Sequence, residues 1–515
     1  MDLVSFSPIT LEEVGSVNVT SCEDVSRIVG ECRSAQKAWE NVSIKERAEL
    51  LKRLRGTIIE RSEEIAKTVH LETGKPRVDA FNTEVMSSAA AVKEYERMVS
   101  KFKFVEKVDQ GSMGLFTKFL KRRSYIRYRP LGVIGIISPY NFPFSIPFIE
   151  VVASVAAGNG VVLKPSSETP LSGELIGKLF KDSGFPENLV NVVHGPGVGS
   201  QLSKADVNKI IFTGSTHTGK EIMRNASERL VPVTLELGGK DAMIVLGDAD
   251  LERTVNGAVW GSFVNAGQVC VGVKRIFIHS SVYEEFKERF VDLTSSLRTG
   301  DGWDDPSVSV GPMINQCELE RMESICRNAV EQGGKILTGG KRSNDLKGYF
   351  YEPTVIEGLD HSSDIVSNEI FGPIVTLFEF SDIDYISSTA ADCSYALGGS
   401  VWSRDIEKAM DIAYELRSGT VDVNNTSYTF GLPATPWGGR GMSGFGTTHG
   451  IIGFKELMFP HHVHVDKGKY HDPWWMPYNE EKAETQKEMI DSFFGSGKGK
   501  VRVLRKLFPI LRNKR

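Results

Sequence analysis

The feature that most constrains the fold is an alternation of short apolar, β-branched segments with helical segments, which begins at Gly132. Six apolar segments follow one another: 132–137, 161–164, 189–193, 209–212, 231–236 and 243–246. This alternation predicts a parallel sheet covered by helices on both faces. A second stretch, from about residue 250 to 425, alternates in the same way, with a strand at 274–279 and a helix at 282–297. We therefore predict an α/β protein.

A long helix is predicted before this region. Ser43-Ile44-Lys45-Glu46 has the pattern of a capping box, in which a serine and a glutamate satisfy the first backbone N–H groups of a helix. Apolar residues then recur at helical spacing, at Leu51, Leu54, Ile58 and Ile65. We expect this helix to stop near Gly74.

Composition excludes several classes of protein. The chain has 515 residues, 40% of them hydrophobic and 25% charged, with a net charge of −5. This length suits two or three domains, and the acidic balance predicts no nucleic-acid binding. Residues 1–10 lack a secretory signal, and no apolar run approaches the roughly 20 residues that span a bilayer. The six cysteines show no CxxC spacing, which favours a reducing, cytoplasmic location without disulfides or structural zinc.

Two residues within glycine-containing segments suggest chemistry. Cys270 ends Asn265-Ala266-Gly267-Gln268-Val269-Cys270, and Glu236 lies in Leu235-Glu236-Leu237-Gly238-Gly239-Lys240. A thiolate attacks electrophilic carbon, and a carboxylate can activate water to release the acyl product. A single cysteine is more often a small buried apolar residue. The interpretation therefore depends on the neighbouring motifs.

Four further segments fit a nucleotide-dependent enzyme, although each also has a purely structural explanation. Residues 212–219, Phe-Thr-Gly-Ser-Thr-His-Thr-Gly, follow a predicted strand and open a helix, as phosphate-binding turns do. Lys164 ends a strand at the sheet edge where cofactors bind. Asn141 lies in a proline-bounded turn, from which an amide can donate to an oxyanion. Glu369, in Asn368-Glu369-Ile370-Phe371-Gly372-Pro373, offers a carboxylate to a ribose.

These segments occur in one order, and with them the chain resembles the aldehyde dehydrogenase superfamily. The resemblance extends from about residue 5 to 465. It includes Leu71-Glu72-Thr73-Gly74-Lys75-Pro76 near the start and Pro436-Trp437-Gly438-Gly439-Arg440 near the end. Several independent motifs in register make the match highly specific.

The resemblance implies a fold with a Rossmann-like cofactor domain, an α/β catalytic domain and a small β oligomerisation arm. The NAD(P)-binding domain would comprise residues 1–111 and 131–237, and the catalytic domain residues 238–446. The arm would comprise residues 112–130 and 447–466, with a C-terminal extension at 467–515. A homodimer or homotetramer is the assembly that this arm implies.

The resemblance also implies a hydrolytic, NAD(P)-dependent aldehyde oxidation. Cys270 would attack the aldehyde, Asn141 and the Cys270 N–H would stabilise the oxyanion, and Glu236 would activate the water that hydrolyses the thioester. The presence of Glu236 favours hydrolysis over transfer to coenzyme A. The expected cofactor residues are Tyr140, Lys164, Ser167, Gly214, Ser215, Gly219, Leu237, Glu369 and Phe371.

Two departures from the family pattern concern the cofactor and the base. Many members carry a glutamate three residues after the cofactor lysine, where it repels a 2′-phosphate. Here that position is Ser167 and a glutamate follows as Glu168, so both NAD and NADP stay open. Many members also serve the base with a lysine and a glutamate as a proton relay. Those positions are Glu150 and Thr448 here, so a different relay is expected, with Glu150 as a candidate part.

The expected substrate is a neutral apolar aldehyde, aliphatic or aromatic. The arginines by which family enzymes hold succinic semialdehyde are replaced here by Ile149 and Val264. Burial of hydrocarbon is worth about 0.8 kcal/mol per CH₂ in an apolar tunnel. The expected tunnel residues are Phe144, Ile146, Phe148, Ile149, Val264, Val269 and Val271. The alternative is that some of these side chains face the protein core. A semialdehyde dehydrogenase and a non-catalytic scaffold are the competing functions.

Two C-terminal features remain. Residues 498–515 carry eight basic and no acidic residues, interleaved with Val501, Leu504, Leu507, Phe508 and Leu511. This pattern predicts either peripheral membrane contact or docking on a neighbouring subunit. His462 and His464 would share one face of a strand, but no third ligand is evident, so we expect no metal site.

Overall fold

The computed structural model describes residues 2–361, 363–468, 472, 474–495, 501–503 and 505–507. The chain divides into two compact units, Met1–Phe102 with Pro130–Phe459, and Lys103–Arg129 with Pro460–Arg515. Both large sheets and all the predicted site residues lie in the first unit. The predicted domain bounds remain a prediction.

The first unit begins with a hairpin and a group of helices. The elements are β1 (Asp2–Phe6), β2 (Glu13–Asn18), α1 (Cys22–Trp39), α2 (Ile44–Glu60), α3 (Ser62–Thr73), α4 (Arg77–Asp79) and α5 (Ser87–Lys101). A π-helical stretch, Ala80–Met86, joins α4 to α5. The Ser43 hydroxyl caps α2 by accepting from the Glu46 N–H, as expected. The predicted single helix is wrong in one respect, because it breaks at Arg61, whose φ of −103° and ψ of 21° are not helical. It ends at Gly74, with φ of 71°.

The chain then contributes to a small sheet of the second unit and returns to build the first large sheet. The small-sheet elements are β3 (Val105–Val108), α6 (Gly114–Phe119) and β4 (Arg123–Pro130). The large-sheet elements are β5 (Val133–Ile137), α7 (Ser145–Ala157), β6 (Gly160–Lys164), α8 (Pro170–Asp182), β7 (Val190–Val192), α9 (Val198–Lys204), β8 (Lys209–Thr213), α10 (Thr216–Ser227) and β9 (Val233–Glu236).

The second large sheet and the C-terminal elements follow. They are β10 (Asp241–Val245), α11 (Leu251–Phe263), β11 (Val273–His279), α12 (Tyr283–Ser296), β12 (Arg298–Thr299), β13 (Val308–Val310), α13 (Gln316–Glu331), β14 (Lys335–Thr338), β15 (Thr354–Glu357), α14 (Asp364–Ser367), β16 (Ile374–Phe380), α15 (Ile383–Ala391), β17 (Tyr395–Ala396), β18 (Gly399–Trp402), α16 (Ile406–Glu415), β19 (Asp422–Val423), β20 (Arg440–Gly441), β21 (Gly444–Phe445), α17 (Gly450–Glu456), β22 (Met458–Val465) and α18 (Glu480–Phe494).

The strand order explains where a ligand can bind. The six-stranded sheet has the order β21-β9-β8-β5-β6-β7, and it is parallel except where β21 pairs with β9. The strand order reverses at β5, because β6 and β7 lie on one side of it and β8 and β9 on the other. Such a switch point opens a crevice at the carboxyl ends of the strands. The seven-stranded sheet has the order β14-β15-β16-β11-β10-β18-β19. The sixth predicted strand, observed as β10, therefore belongs to this second sheet.

The second unit is built on the sheet β22-β4-β3. The described part of the C-terminal tail is helical at 501–503 and 505–507. Val503 and Leu507 are buried there against Leu120, with Met489 and Phe493 beside them. The expectation that Leu507 belongs to a lipid-facing surface is therefore wrong, because this side chain packs inside the protein, while Val501 stays exposed. Leu504, Phe508 and Leu511 lie outside the described residues. No described helix has both the length and the apolar character that crossing a membrane requires.

Candidate active site

Four loops meet at the carboxyl edge of the six-stranded sheet. The turn with Asn141 follows β5, Lys164 ends β6, Gly214 and Ser215 follow β8, and Glu236 ends β9. The register pairs Ile137 with both Lys164 and Phe212, and Thr213 with Glu236, so these strand ends lie side by side. The alternation seen in the sequence is sufficient to bring these residues to one edge, because parallel strands end on the same side.

Cys270 follows a strained turn that is held by buried side chains. Asn265 and Ala266 both have a φ of 53°, a left-handed conformation that is costly for alanine. The Lys274 ammonium donates to the carbonyl oxygens of Gly267, at 2.8 Å, and Gly372, at 2.7 Å. A side chain at Gly267 would collide with the Gly372 backbone. The turn therefore holds one backbone path up to Cys270.

Asn141 contacts this turn directly. Its Nδ2 donates to the carbonyl oxygen of Gln268 at 3.0 Å, and its own carbonyl accepts from Asn265 Nδ2 at 2.9 Å. An asparagine amide carries two N–H donors, and the bond to Gln268 uses one of them. The structure thus brings the predicted oxyanion donor and the predicted nucleophile segment together.

The glutamate and cysteine segments touch through a glycine. An added Cβ at Gly239 would overlap the carbonyl oxygen of Cys270, so only glycine permits this approach. Three residues earlier, Glu236 is buried, and its Oε2 accepts from Trp437 Nε1 at 3.1 Å. Glu236 Oε1 is buried with no partner among the described residues. The predicted base and nucleophile therefore lie on adjoining segments.

The electrostatics of both groups follow from burial. The pKa of Glu236 is raised well above its usual range by burial and by the nearby Glu150 carboxyl, while the Trp437 hydrogen bond lowers it. Burial raises the pKa of the Cys270 thiol, and the carboxyl groups of Asp241, Glu236 and Glu369 raise it further. A positive charge beside Cys270 would oppose these effects and favour the thiolate.

The predicted tunnel residues divide into two groups. Val264, Val269 and Val271 form an apolar cluster with partly buried Cys270, together with Leu397, Trp437, Phe142 and Phe430. Phe144 and Phe148 instead stack on each other, with ring centroids 5.0 Å apart, and Phe148 also packs on Phe180. Ile146 is buried on α7, and Ile149 lines a separate small cavity. The lining proposed below for the substrate therefore includes the three valines and leaves out the α7 residues.

The apolar lining also contains residues that sequence reasoning missed. Phe142, Leu397, Phe430 and Trp437 all pack in the Cys270 cluster. A sequence signal existed for Trp437, because it lies in the Pro436-Trp437-Gly438-Gly439-Arg440 motif, and for Phe142, because it follows Asn141 in the same turn. Nothing comparable marks Leu397 and Phe430, which come from distant loops.

Lys164 and Ser167 are neighbours on the cofactor side. Lys164 Nζ donates to Ser167 Oγ at 3.3 Å, and burial lowers the pKa of the Lys164 ammonium. Lys164 has no ion pair among the described residues. Glu168 accepts instead from Asn315 Nδ2, at 3.1 Å. The serine, and not the adjacent glutamate, is thus the residue that contacts the lysine.

The predicted phosphate turn has the expected local structure. Ser215 caps α10 by accepting from the Thr218 N–H, and an added Cβ at Gly219 would collide with the side chain of Leu237. Gly214 joins β8 to this helix, and its N–H donates to the Glu236 carbonyl at 3.0 Å. The turn therefore presents the start of α10, where a helix favours anionic groups.

Glu369 lies against the same strand end. An added Cβ at Gly238 would overlap the Glu369 carboxylate, and the Tyr140 and Phe371 rings meet edge to face at 5.9 Å. Burial raises the pKa of Glu369, and Arg321 counteracts this effect. The ammonium of Lys164 and the helix start at Ser215 supply donors and the carboxylate of Glu369 supplies an acceptor, a set that fits a dinucleotide with two riboses and a pyrophosphate.

No group of three or more metal-ligand side chains occurs in the part of the chain that the structure describes. The His462 and His464 rings are 6.5 Å apart, and His464 Nδ1 shares a hydrogen bond with Ser124 Oγ at 3.1 Å. His464 thus has a partner within the small sheet.

The sequence profile of the aldehyde dehydrogenase family matches residues 2–463. The chain belongs to this family. It is 34% identical to the "Putative succinate-semialdehyde dehydrogenase [NADP(+)] 2" of Mycobacterium ulcerans, over 85% of this chain and 83% of that one. It is also 34% identical to the betaine aldehyde dehydrogenase of Bacillus subtilis, over 89% and 93%. The NAD+ complex of a Bacillus cereus aldehyde dehydrogenase superposes with a TM-score of 0.86 at 33% identity, covering 91% and 94%.

These comparisons confirm the fold class and the general function expected from the sequence. The protein is an oxidoreductase that oxidises an aldehyde, and the scaffold alternative has no support. The relatives carry names for different aldehydes, so the family alone does not choose the substrate.

Proposed function

We propose that this aldehyde dehydrogenase oxidises a neutral apolar aldehyde to a carboxylic acid through a thioester on Cys270. The observation that carries the proposal is the contact between Gly239 and the Cys270 carbonyl, because it brings the Glu236 segment against the nucleophile segment. A partly buried thiol and a buried carboxylate on touching segments suit sequential attack and hydrolysis.

The first step is attack of Cys270 Sγ on the aldehyde carbon. The carbonyl oxygen then carries negative charge, and the second N–H of Asn141 Nδ2 and the Cys270 backbone N–H are its proposed donors. Donors fixed in advance lower the barrier, because they need not reorganise as the charge develops. The bonds of Asn141 to Gln268 and Asn265 supply that fixed geometry.

The dinucleotide, when bound, supplies the hydride acceptor that converts the adduct to a thioester. We propose that Lys164 and Ser167 hold the adenosine ribose, Gly214, Ser215 and Gly219 the pyrophosphate, and Glu369 the nicotinamide ribose. Tyr140, Leu237 and Phe371 would complete this site. The relatives' names and complexes confirm NAD or NADP as the cofactor pair, and the choice between the two rests on Ser167.

The last step is hydrolysis of the thioester, for which Glu236 is the proposed general base. Its ionised form accepts a proton from water, and the water oxygen attacks the acyl carbon. Cys270 leaves as thiolate, and the carboxylic acid is released. A carboxylate with a raised pKa is a stronger base than an exposed one, which suits this task.

The substrate proposal rests on the apolar cluster around Cys270. Val264, Val269, Val271, Leu397 and Trp437 are all buried there. Their hydrocarbon surfaces favour a neutral chain or ring. The alternative, a semialdehyde such as succinic semialdehyde, has support from the names of several relatives.

Steady-state kinetics over a panel of aldehydes tests the proposal. Hexanal, benzaldehyde and succinic semialdehyde would each be assayed with NAD and with NADP. We expect a higher kcat/KM for the neutral aldehydes, and loss of all turnover in Cys270→Ala. A higher kcat/KM for succinic semialdehyde would instead support the semialdehyde alternative.

For the assembly we propose a homodimer or homotetramer that uses the small sheet. The edge strand β22 is exposed from Phe459 to Val465, and within the part of the chain that the structure describes it pairs with β4 alone. An exposed edge of this length is a template for pairing with a second copy. Light scattering after size exclusion tests this, and a monomer would contradict it. The six cysteines are all unpaired, which supports the expected cytoplasmic location.

A further inference from the structure

The face of the six-stranded sheet below Glu236 is polar at several buried positions. Alternate residues of a strand point to the same face, so Thr234 and Glu236 of β9 share a face. On β8, Lys209, Ile211 and Thr213 share that face in the same way. Thr213 is the register partner of Glu236. The Thr213 hydroxyl donates to Glu150 Oε1 of α7 at 3.3 Å. Thr213 thus contacts Glu150 directly and lies beside Glu236 on the neighbouring strand.

Both carboxyl groups lack partners on one oxygen. Glu150 Oε2 and Glu236 Oε1 are buried, and neither has a hydrogen-bond partner among the described residues. Burying a polar atom without a hydrogen-bond partner costs free energy. The usual explanation for such an atom is a bound proton or a water molecule.

A small cavity next to Glu150 has room for that water. About 20 Å³ is open there to the centre of a water molecule, which is enough for about one water. The lining is partly polar and comprises Tyr95, Ile149, Glu150, Ala153, Lys209, Ile211, Thr234, Thr447, Thr448, His449, Gly453, Glu456 and Leu457. The cavity therefore offers several polar partners to a water.

The far side of the cavity leads toward solvent. Lys209 and Glu456 form an ion pair at 3.1 Å, and Thr234 Oγ1 donates to Glu456 Oε2 at 3.4 Å. The Lys209 side chain is 6% exposed, whereas that of Glu456 is 33% exposed. The cavity that Glu150 lines is thus also lined by a carboxylate that reaches the surface.

We propose that Glu150 and Glu236 form a carboxyl pair that holds one shared proton between turnovers and passes the second proton, taken from the hydrolytic water, through the cavity to Glu456. This inference rests on the proposed role of Glu236 as base. Before hydrolysis the pair carries one proton and one negative charge. After water loses its proton to Glu236, the pair carries two protons. One then moves from Glu150 to the cavity water, and the water releases a proton to Glu456 or solvent.

The charges near Glu150 agree with this assignment. Burial raises the pKa of Glu150 to about 8, and the Glu150 carboxyl in turn contributes to the raised pKa of Glu236. Two such carboxyls titrate as a unit, and one of them stays protonated near neutral pH. The groups that face Glu150 from the surrounding elements are Tyr95 of α5, Lys209 and Thr213 of β8, Glu236 of β9, and His449 and Glu456 at the two ends of α17.

The pair is a positioning and proton-transfer device, so its test compares acylation with hydrolysis. Glu150→Gln keeps the shape but cannot exchange a proton. We expect this variant to show a pre-steady-state burst of reduced cofactor, while kcat falls about tenfold or more because hydrolysis becomes limiting. The basic limb of the kcat–pH profile should change in this variant, because the pair can no longer lose the shared proton that Glu150 holds.

Ser154→Ala is the matched control. Ser154 is buried one turn further along α7, and its hydroxyl has no partner among the described residues. It lies outside the set of cavity-lining residues. The burst, the kcat and the pH profile of the Ser154→Ala variant should match those of the wild type. A loss equal to that of Glu150→Gln would mean that packing of α7, and not proton transfer, explains the effect.

Infrared spectroscopy supplies a readout that is independent of turnover. The wild-type protein without cofactor should show the carbonyl band of a protonated carboxyl group near neutral pH, and Glu150→Gln should reduce it. An unchanged kcat–pH profile together with an unchanged band would overturn the proposal. If Glu150→Gln does not fold, Thr213→Val must give the same direction of change in kcat, and an unchanged profile there overturns it equally. Absence of wild-type turnover with every aldehyde of the panel would instead contradict the proposed function.

Discussion

Trp437 donates its indole N–H to Oε2 of the buried Glu236, at 3.1 Å. This hydrogen bond favours the ionised carboxylate and therefore lowers the pKa of Glu236, against the larger effect of burial. The bond joins two distant parts of the sequence, since 201 residues separate its partners. The second oxygen, Oε1, has no hydrogen-bond partner among the described residues.

Replacing Trp437 with Phe removes this donor and should raise the pKa of Glu236 further. Less of the base is then ionised at neutral pH, so kcat should fall about tenfold, the range that one hydrogen bond to a charged group supports. The acid limb of the kcat–pH profile should move to higher pH. Trp402→Phe is the control, because Trp402 is a buried indole that donates to Ser400, in the core of the other sheet. An identical profile for both variants would contradict the assignment.

Cofactor choice should respond to Ser167. A glutamate there would place a carboxylate beside Lys164, and it would repel the 2′-phosphate of NADP. We expect Ser167→Glu to raise the KM for NADP relative to NAD by about tenfold. Glu168→Gln should leave the ratio unchanged, because Glu168 pairs with Asn315. Equal responses of both cofactors to Ser167→Glu would show that Ser167 does not face the ribose.

The buried ion pair of Lys75 and Glu84 should support Asn141. Both side chains are fully buried, and Lys75 Nζ also donates to the Asn141 carbonyl at 3.1 Å. Glu84 Oε2 accepts from the Ser145 N–H at 2.7 Å, at the start of α7. Lys75→Met should lower the free energy of unfolding by about 3–5 kcal/mol, because it leaves a buried carboxylate without a counterion.

The double variant Lys75→Met, Glu84→Gln removes both charges and should recover part of that loss in urea titrations. The half-buried pair of Arg55 and Glu96 provides the control, because Arg55→Met should cost about 1 kcal/mol or less. Equal losses in Lys75→Met and Arg55→Met would show that the buried pair has no special role.

The free energy of unfolding should decrease as the solution becomes more acidic, because of His449. Burial lowers the pKa of His449 to about 4, from 6.5. Above pH 6.5 neither the folded nor the unfolded state binds this proton, whereas between pH 6.5 and 4 only the unfolded state does. Stability therefore decreases as the pH falls through this window, by about 3 kcal/mol in total. His449→Asn removes the titrating imidazole and should flatten the dependence. An unchanged slope between pH 7 and 4.5 would contradict this account.

Much of the sheet was predictable, for a physical reason. The strands β5, β6 and β8 are almost continuous apolar runs, as buried parallel strands are, and their predicted bounds differ by at most one residue from those observed. Once these strands are predicted, the positions of the loops that follow them are predicted as well. The break at Arg61 was not predictable, because helical spacing of Leu54, Ile58 and Ile65 continues across it.

The directions in which side chains point were the main limit on predicting the site from the sequence. The apolar character of Phe144 and Phe148 suits either a tunnel or a core, and only packing of α7 on Phe180 decides where they point. The same holds for Phe430 and Leu397, which reach Cys270 from loops whose paths no local pattern specifies. The placement of Thr213 beside Glu236 and against Glu150 likewise depends on strand register, which becomes visible only in three dimensions.

The most direct test of the central claim is the mass of the Glu236→Gln variant after mixing with NAD and an aldehyde. If Cys270 forms the thioester and Glu236 hydrolyses it, the acyl group should accumulate on the protein. Its mass should increase by one acyl group, peptide mapping should assign the group to Cys270, and Cys270→Ala in the same background should abolish it. An unmodified protein, despite a burst of reduced cofactor, would contradict the proposed division of work between Cys270 and Glu236.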